Sequence, residues 1–305
     1  MKSQKYKFSI IIPTYNRSFA LDRCLKSLVN QTFKNFEVLV CDDGSTDDTK
    51  QVIDKYARVL NLNYFYEINW GGPAKPRNIG ITNANADWLC FLDSDDCYSE
   101  NRLEFISNLD LEGIDLIYHD LNAVKGRKSV GRIKARQLCE TDAYHDLLYN
   151  LNTIPTSSTC VRKSIIEKAN GFKESKDIIG LEDFDLWIRL GKLGMRANYV
   201  PEIMGTYYMG DDNITTFDDR QINRFKALYK YFIDSAINKQ EQRKIEAALE
   251  YMIGNISIKN GRFIKGYLSI AKSFLNGSLT IKIHSVFYMI KGVKYLIVKK
   301  IIKNE

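Results

Sequence analysis

The segment with the clearest chemical potential is a group of acidic residues directly after an apolar run. Asp93, Asp95 and Asp96 follow residues 88–92, whose apolar side chains predict a buried strand. Carboxylate oxygens suit Mg²⁺ or Mn²⁺, and a cation held by one or two of them keeps other positions open for water and phosphate oxygens. The segment therefore predicts a cation site that receives a diphosphate. The alternative is a solvated turn or a helix cap.

Two further predicted strands also end in polar residues. Residues 9–12 run into a polar turn at 13–17, and residues 36–41 run into an acidic turn with glycine at 42–45. In an open α/β sheet, ligands bind outside the carboxyl ends of the strands. Three polar strand ends therefore predict one shared crevice.

The polar strand ends belong to a set of five motifs. In chain order these are Pro13-Thr14-Tyr15-Asn16-Arg17, Asp42-Asp43-Gly44-Ser45, Arg77-Asn78-Ile79-Gly80, Asp93-Ser94-Asp95 and Glu182-Asp183. Over roughly residues 7–210 they resemble the motif set of family 2 inverting glycosyltransferases with the GT-A fold, and five ordered motifs are far more specific than one. The resemblance implies an α/β fold with a Rossmann-like, mainly parallel sheet that binds a nucleotide-diphospho-sugar.

The resemblance also assigns roles around the diphosphate. The last Asp of the Asp-x-Asp motif, here Asp95, is the expected metal ligand, and Asp93 lies nearer the ribose, with Ser94 between them in the donor site. Asp96 would help through water. Mn²⁺ or Mg²⁺ is the expected cofactor, because a divalent cation stabilises the negative charge that develops on the leaving diphosphate.

The nucleoside is expected to meet the first two motifs. Pro13 and Thr14 line the donor site, the ring of Tyr15 stacks on a nucleobase, and Asp43 accepts the imide N–H of uracil, with Asp42 as the fallback. This predicts a UDP-sugar donor. The alternative for the acidic pair is an Asx-type turn ahead of a helix.

Arg77 lies in a segment, residues 71–80, whose Gly and Pro residues allow close approach to a ligand. Its charge is expected to face the nucleotide. The family more often has a small residue where this chain has Pro76, which would shift the start of the following helix.

The last motif opens a predicted helix after Gly180. Asp183 resembles the family's catalytic base, and the helix dipole would keep its carboxylate ionised for deprotonating an acceptor hydroxyl. Glu182 is expected to contact the substrate, and the alternative is that both acids cap the helix. Trp187, one turn later on the same face, is either a sugar platform or a core residue.

Strand and helix patterns alternate in the first hundred residues, as in βαβ units. The predicted helices are 18–29, 47–60, 74–85, 142–149, 183–193, 220–235, 239–258 and 262–275. Further strands are predicted at 62–66, 115–124 and 159–161. Residues 125–136 are predicted to be a loop or hairpin. We expect a GT-A domain at 1–218, with a nucleotide half at 1–100 and an acceptor half at 101–218. A basic amphipathic helical region, 219–305, follows.

The composition is that of a globular protein with uneven charge. The 305 residues are 45% hydrophobic and carry a net charge of +7. Residues 221–305 contain 16 Lys and Arg against 5 Asp and Glu, whereas residues 1–220 have a net charge of −4. This asymmetry argues against a nucleic-acid partner and favours an end that meets something anionic, such as a membrane.

Six scattered cysteines without a Cys-x-x-Cys pair favour a reducing compartment and therefore the cytoplasm. The basic N-terminus is followed by an apolar run that ends at Pro13 without a small-residue cleavage site, so we predict no signal peptide. No apolar run reaches eighteen residues, which argues against a membrane span.

Residues 281–303 mix lysines with aliphatic and aromatic side chains. Lying flat on an anionic leaflet, such a segment would gain about 1 kcal/mol per charge. The predicted protein is then peripheral on the inner face of the cell membrane, with a lipid-linked acceptor. Packing on the body of the protein or a homodimer contact is the alternative.

Together these features predict a metal-dependent inverting glycosyltransferase that moves a sugar from a UDP-sugar to a glycan hydroxyl in O-antigen or capsule synthesis. One alternative is a sugar-phosphate nucleotidylyltransferase, but residues 13–17 lack its Gly-rich phosphate loop. Another is a non-catalytic nucleotide-sugar-binding scaffold at the membrane. The sequence contains no Gly-x-Gly-x-x-Gly, Walker A or Gly-x-Ser-x-Gly motif, which excludes the main dinucleotide, P-loop and hydrolase classes.

Overall fold

The computed structural model describes residues 6–210 and 218–290. Within them the chain forms two compact units. The first consists of the described parts of 1–144 and 153–213, and the second of the described parts of 145–152 and 214–305.

The strands are β1 (Phe8–Thr14), β2 (Phe36–Asp42), β3 (Leu62–Tyr66), β4 (Trp88–Phe91), β5 (Cys97–Tyr98), β6 (Leu116–Lys125), β7 (Lys128–Ile133), β8 (Cys160–Arg162) and β9 (Ala197–Met209). The α-helices are α1 (Ser18–Val29), α2 (Thr49–Tyr56), α3 (Ala74–Asn83), α4 (Arg102–Ser107), α5 (Ala143–Asn150), α6 (Lys163–Lys168), α7 (Glu182–Lys192), α8 (Asp219–Asp234), α9 (Lys239–Lys259) and α10 (Phe263–Asn276). Two 3-10 turns lie at Thr156–Ser158 and Lys176–Ile178, and residues 279–290 are also helical.

The described strands form one mixed sheet in the order β3-β2-β1-β4-β8-β6-β9-β5, with β7 paired to β6. Strands β1 to β4 are parallel to their neighbours among themselves, and so is the long β6–β9 pair. Strand β8 runs antiparallel to β4 and to β6. Most of the paired length is therefore parallel, which confirms the predicted α/β fold with a mainly parallel sheet.

The strand order places the polar strand ends together. Strand β1 lies between β2 and β4, with Thr14 opposite Asp42 and Ile11 opposite Phe91. All residues of these three strands are buried. Because chain order reverses between β1 and β4, a crevice is expected beyond the carboxyl ends of these two strands, after Thr14 and Phe91.

The sequence analysis missed or misplaced several elements. Helix α2 is shorter than predicted, because residues 57–60 form a turn. Residues 125–136, by contrast, were predicted to be a loop or hairpin, and they contain one arm of the β6–β7 hairpin. Strand β9, which was not predicted, contains Pro201 and Gly205, and its register against β6 shifts near His119 and Asp120. Those breaks hide the alternation that marks a strand.

The three helices predicted for the second unit are observed within one residue of their expected ends. Helices α9 and α10 approach closely at two glycines: a Cβ on Gly254 would lie 2.8 Å from Ile270, and one on Gly266 would lie 2.5 Å from Ile258. Tyr251, Ile270 and Ile281 form a small buried cluster beside them. Residues 291–303 of the predicted membrane-binding tail lie outside the described residues.

Gly80 explains one motif position in terms of packing, and it gives a test of the fold. A Cβ on Gly80 would lie 2.4 Å from Cγ2 of Ile11 in β1, so Gly80→Ala must push α3 away from the sheet. We expect a loss of about 1–3 kcal/mol in the free energy of unfolding, measured by urea denaturation. The exposed Thr82→Ala on the same helix is the control and should change little; equal stability of both variants would contradict this packing.

Candidate active site

The turns after β1 and β2 form one structure. The backbone N–H of Asn16 donates to Oγ of Ser45 at 2.8 Å, and Oδ1 of Asn16 accepts from the backbone N–H of Thr46 at 2.7 Å. Asn16 has a φ of 47°, a left-handed conformation that Asn tolerates better than most residues. The first two motifs thus hold each other in place.

Arg77 links its own motif to two others. Its Nη1 donates to Oε1 of Glu182 at 2.6 Å and its Nη2 to Oδ1 of Asp93 at 2.7 Å. The Arg77 side chain is 4% exposed. Burial alone would lower the pKa of Arg77, but Asp93, Glu182 and Asp183 outweigh it and raise that pKa. Two carboxylates therefore hold the guanidinium in this structure, and its expected contact with the nucleotide stays a prediction.

Glu182 also has a structural task. Its second oxygen, Oε2, accepts from the backbone N–H of Gly180 at 2.6 Å, just before α7 begins. Gly180 has a φ of 79°, which favours glycine. With only 3% of Glu182 exposed, its carboxylate orients Arg77 and the start of α7.

Asp183, the next residue, is held by two hydrogen bonds. Its Oδ2 accepts from the hydroxyl of Thr156 at 2.6 Å, and Oδ1 accepts from the backbone N–H of Phe184 at 2.7 Å. Burial, and then the neighbouring Glu182, raise the pKa of Asp183 to about 6, against the opposing effects of Thr156 and Arg77. The helix start does not keep this acid at its ordinary pKa, since burial outweighs it.

The three aspartates after β4 concentrate negative charge. Burial and the carboxylates of Asp95 and Asp93 raise the pKa of Asp96 well above its usual range. Burial and Asp93 also raise the pKa of Asp95. Asp96 is 1% exposed and its Oδ1 accepts from the backbone N–H of Tyr208 at 3.1 Å.

The residues of this cluster fit a hard divalent cation. They offer only carboxylate oxygens, and their mutual repulsion would be relieved by positive charge. In the described part of the chain, no group of three or more His, Cys, Asp or Glu residues is arranged to hold a metal by itself. A cation here would take its remaining ligands from water and phosphate, as Mg²⁺ usually does in phosphate-binding sites.

Two arginines that sequence reasoning did not single out reach Asp95. Arg17 forms an ion pair with Oδ2 of Asp95. Arg23 donates to the Asp95 carbonyl oxygen at 2.7 Å, and its guanidinium lies 3.5 Å from the ring centre of Tyr208. Thr156 was missed in the same way, because 27 residues separate it from Asp183 and no spacing rule joins them.

The two acids after β2 shape the surrounding loops. Asp43 accepts the backbone N–H groups of Trp70, Gly71 and Gly72 at 2.7, 2.8 and 3.2 Å. Asp42 accepts from the backbone N–H of Ser45 and from the hydroxyl of Tyr64. Both carboxylates therefore accept hydrogen bonds from the surrounding loops and from Tyr64, which fits the alternative of a structural turn. The recognition of uracil stays a prediction.

The remaining predicted site residues differ in their exposure to solvent. Tyr15 is 46% exposed, whereas Pro13, Thr14 and Ser94 are buried. Trp187 is fully buried, and its ring centroid lies 6.5 Å from those of Phe91 and Phe172. Of its two alternatives, the core role fits this environment.

The Arg77 network predicts a large cost for removing the arginine. Arg77→Gln leaves Asp93 and the buried Glu182 without their shared cation, so we expect a loss of about 3–5 kcal/mol in the free energy of unfolding, measured by urea denaturation at neutral pH. Lys50, in an exposed ion pair with Asp54, is the control, and Lys50→Gln should cost about 1 kcal/mol or less. Similar losses for both variants would refute the buried network.

Residues 9–167 match the sequence family described as Glycosyl transferase family 2. Among curated relatives, the poly(ribitol-phosphate) beta-N-acetylglucosaminyltransferase TarS of Staphylococcus aureus is 34% identical over 181 residues, covering 58% of this chain and 31% of TarS. The Escherichia coli UDP-Glc:alpha-D-GlcNAc-diphosphoundecaprenol beta-1,3-glucosyltransferase WfgD is 30% identical over 264 residues, covering 85% of this chain and 96% of WfgD. The chain thus spans about a third of TarS and nearly all of WfgD.

Solved structures share the fold. A crystal structure of S. aureus TarS 1–349 with UDP-GlcNAc superposes with a TM-score of 0.66 at 22% identity, covering 90% of this chain and 82% of that one. The mannosyltransferase PcManGT of Pyrobaculum calidifontis, in complex with GDP-Man and Mn²⁺, gives a TM-score of 0.61 at 15% identity, with 97% and 81% coverage. Because the match to the family covers more than half of the chain, the chain belongs to glycosyl transferase family 2.

Proposed function

We propose that the protein transfers a sugar from a UDP-sugar to a hydroxyl of a glycan acceptor, with inversion at the anomeric carbon in a single displacement. The observation that carries this proposal is the environment of Asp183. It is a partly buried carboxylate with a pKa of about 6. Thr156 holds it beside the Arg77, Glu182 and Asp93 network. An α-linked donor would give a β-linked product.

Asp183 would be the general base. A base works best when its pKa lies near the working pH, since it is then both ionised and able to hold the proton it accepts. At neutral pH a carboxyl group with a pKa of about 6 is mostly ionised. The Thr156 hydroxyl directs Oδ2, so that the acceptor hydroxyl meets a fixed oxygen.

Asp95, assisted by Asp93, would hold Mn²⁺ or Mg²⁺ beside the donor diphosphate. A bound cation would supply Lewis-acid stabilisation of the charge that grows on the leaving group. Burial, and then the neighbouring carboxylates, raise the pKa values of Asp95 and Asp96, and a bound cation would stabilise the ionised forms of both. Arg77 would keep Asp93 oriented toward the diphosphate.

The donor proposal draws on the site and on the relatives. UDP-Glc appears in the name of WfgD, and TarS was crystallised with UDP-GlcNAc. Tyr15, exposed after β1, would stack on uracil, and Asp43 would fix the loop at 70–72 around it.

The acceptor would be a lipid-linked glycan of a surface polysaccharide such as an O-antigen or capsule. The name of WfgD specifies a diphosphoundecaprenol acceptor. Residues 251–304 contain ten Lys and Arg and no Asp or Glu, and α10 exposes Ile264, Leu268 and Leu275. These features support peripheral contact with an anionic leaflet on the cytoplasmic side. None of the described helices is long and apolar enough to cross a membrane.

The central test uses a panel of nucleotide sugars, titrated by calorimetry with and without Mn²⁺, to select the donor. With that donor, we expect Asp183→Asn to lower the rate of UDP release by about 10²–10⁴-fold while donor affinity stays within a factor of about two. The exposed Asp177→Asn nearby is the matched control. Unchanged release by Asp183→Asn would refute the base, and failure of every sugar to bind would refute the transferase proposal.

The pH dependence of the rate gives a separate prediction. Because the base must be ionised, UDP release should fall as pH decreases through about 6, the pKa of Asp183. Thr156→Val removes a hydrogen bond that lowers this pKa, so the acidic limb of the pH–rate profile should move to higher pH. A limb that moves to lower pH, or not at all, would contradict the role of Thr156.

A further inference from the structure

Arg17 forms an ion pair with the carboxylate of Asp95, which is the proposed ligand of the divalent cation. We propose that Arg17 is an exchangeable counter-ion: it pairs with Asp95 when the cation is absent, and it moves to the donor diphosphate when the cation takes Asp95. The proposal rests on the proposed function for its metal and its diphosphate. It goes beyond that function by giving Arg17 a role in the order of assembly.

The first support is that the neighbouring arginine side chains bind other groups than the Asp95 carboxylate. Arg77 donates to Asp93 and Glu182. Arg23 reaches only the backbone oxygen of Asp95 and stacks on Tyr208. Among the described residues, Arg17 is thus the cationic side chain that contacts the Asp95 carboxylate.

The second support is a fixed backbone with an accessible side chain. Hydrogen bonds from Asn16 to Ser45 and Thr46 anchor the turn before Arg17, and its carbonyl oxygen accepts from the N–H of Leu21 at 2.9 Å. The Arg17 side chain is 26% exposed, against 4% for Arg77. The guanidinium can therefore turn without disturbing the strand. The Asp95 side chain is 20% exposed, so water reaches both partners of the ion pair and weakens it.

The third support is the charge balance. Asp93, Asp95 and Asp96 meet two guanidinium groups, those of Arg17 and Arg77. A divalent cation at Asp95 would repel Arg17, since two positive charges would share one carboxylate. The diphosphate then brings new negative charge to the same edge of the sheet, and the released guanidinium is a suitable bidentate donor for it.

A purely structural role for Arg17 predicts the opposite result in one experiment. If Arg17 only tied the turn after β1 to the aspartates, its loss would loosen the cation site and weaken cation binding. If Arg17 competes with the cation, its loss must strengthen binding. The sign of the change separates the two roles without any measurement of activity.

The experiment measures Mn²⁺ binding to the full chain without nucleotide, from the electron paramagnetic resonance signal of free Mn²⁺. We expect Arg17→Gln to lower the Kd for Mn²⁺ by about three- to tenfold, and Arg17→Lys, which keeps the charge, to change it less. The control is Arg58→Gln, an exposed arginine on the turn after α2, which removes one positive charge elsewhere and should leave the Kd unchanged. Arg17→Met serves as the second variant if Arg17→Gln does not fold, as judged by circular dichroism.

The second arm measures UDP binding at saturating Mn²⁺, where Arg17→Gln should weaken affinity because the diphosphate loses its guanidinium. Weaker or unchanged Mn²⁺ binding by Arg17→Gln would overturn the exchange, as would unchanged UDP affinity. Asp95→Asn separates the two proposals. If it binds Mn²⁺ as the wild type does, the metal assignment itself fails, whereas weakened binding by Asp95→Asn with no gain by Arg17→Gln refutes only the role of Arg17.

Discussion

The site depends on placing several acidic side chains together in a poorly solvated crevice. Like charges at such short range repel strongly, and burial adds a penalty for each ionised carboxylate. The buried guanidinium of Arg77 offsets part of that cost by donating to Asp93 after β4 and to Glu182 at the start of α7. One side chain on α3 thereby joins the proposed cation side of the crevice to the proposed base.

Burial and the same repulsion also change the pKa values of the acidic side chains. Burial and neighbouring acids raise the pKa of Asp183 to about 6 and that of Asp96 well above its usual range. Burial and Asp93 also raise the pKa of Asp95, and Arg17 opposes them. Acids whose environments differ in this way can divide the work of one reaction, with one accepting a proton while others hold charge. In our proposal Asp183 takes the proton and Asp95 faces the cation.

The sequence predicted that the polar strand ends meet, but it did not predict which charged side chains pair with each other there. Apolar runs predicted the central strands, and the polar residues that end them converge because β1, β2 and β4 are parallel neighbours. Which charged groups pair depends on side-chain reach across elements far apart in the chain. For Arg77, the Gly and Pro residues of its loop indicated approach to a ligand, but nothing in the sequence indicated its ion pairs with Asp93 and Glu182. The contacts of Thr156 and Arg17 leave no periodic signal at all.

The most direct test of the proposed displacement is the stereochemistry of transfer to a small acceptor. With methanol and the α-linked UDP-sugar that the protein selects, the product is a methyl glycoside, which does not interconvert between anomers as a free sugar does. Proton NMR of its anomeric signal distinguishes the two forms. The account predicts the methyl β-glycoside, formed by one inverting displacement. A methyl α-glycoside would contradict it, because retention requires a different mechanism from a single attack assisted by Asp183.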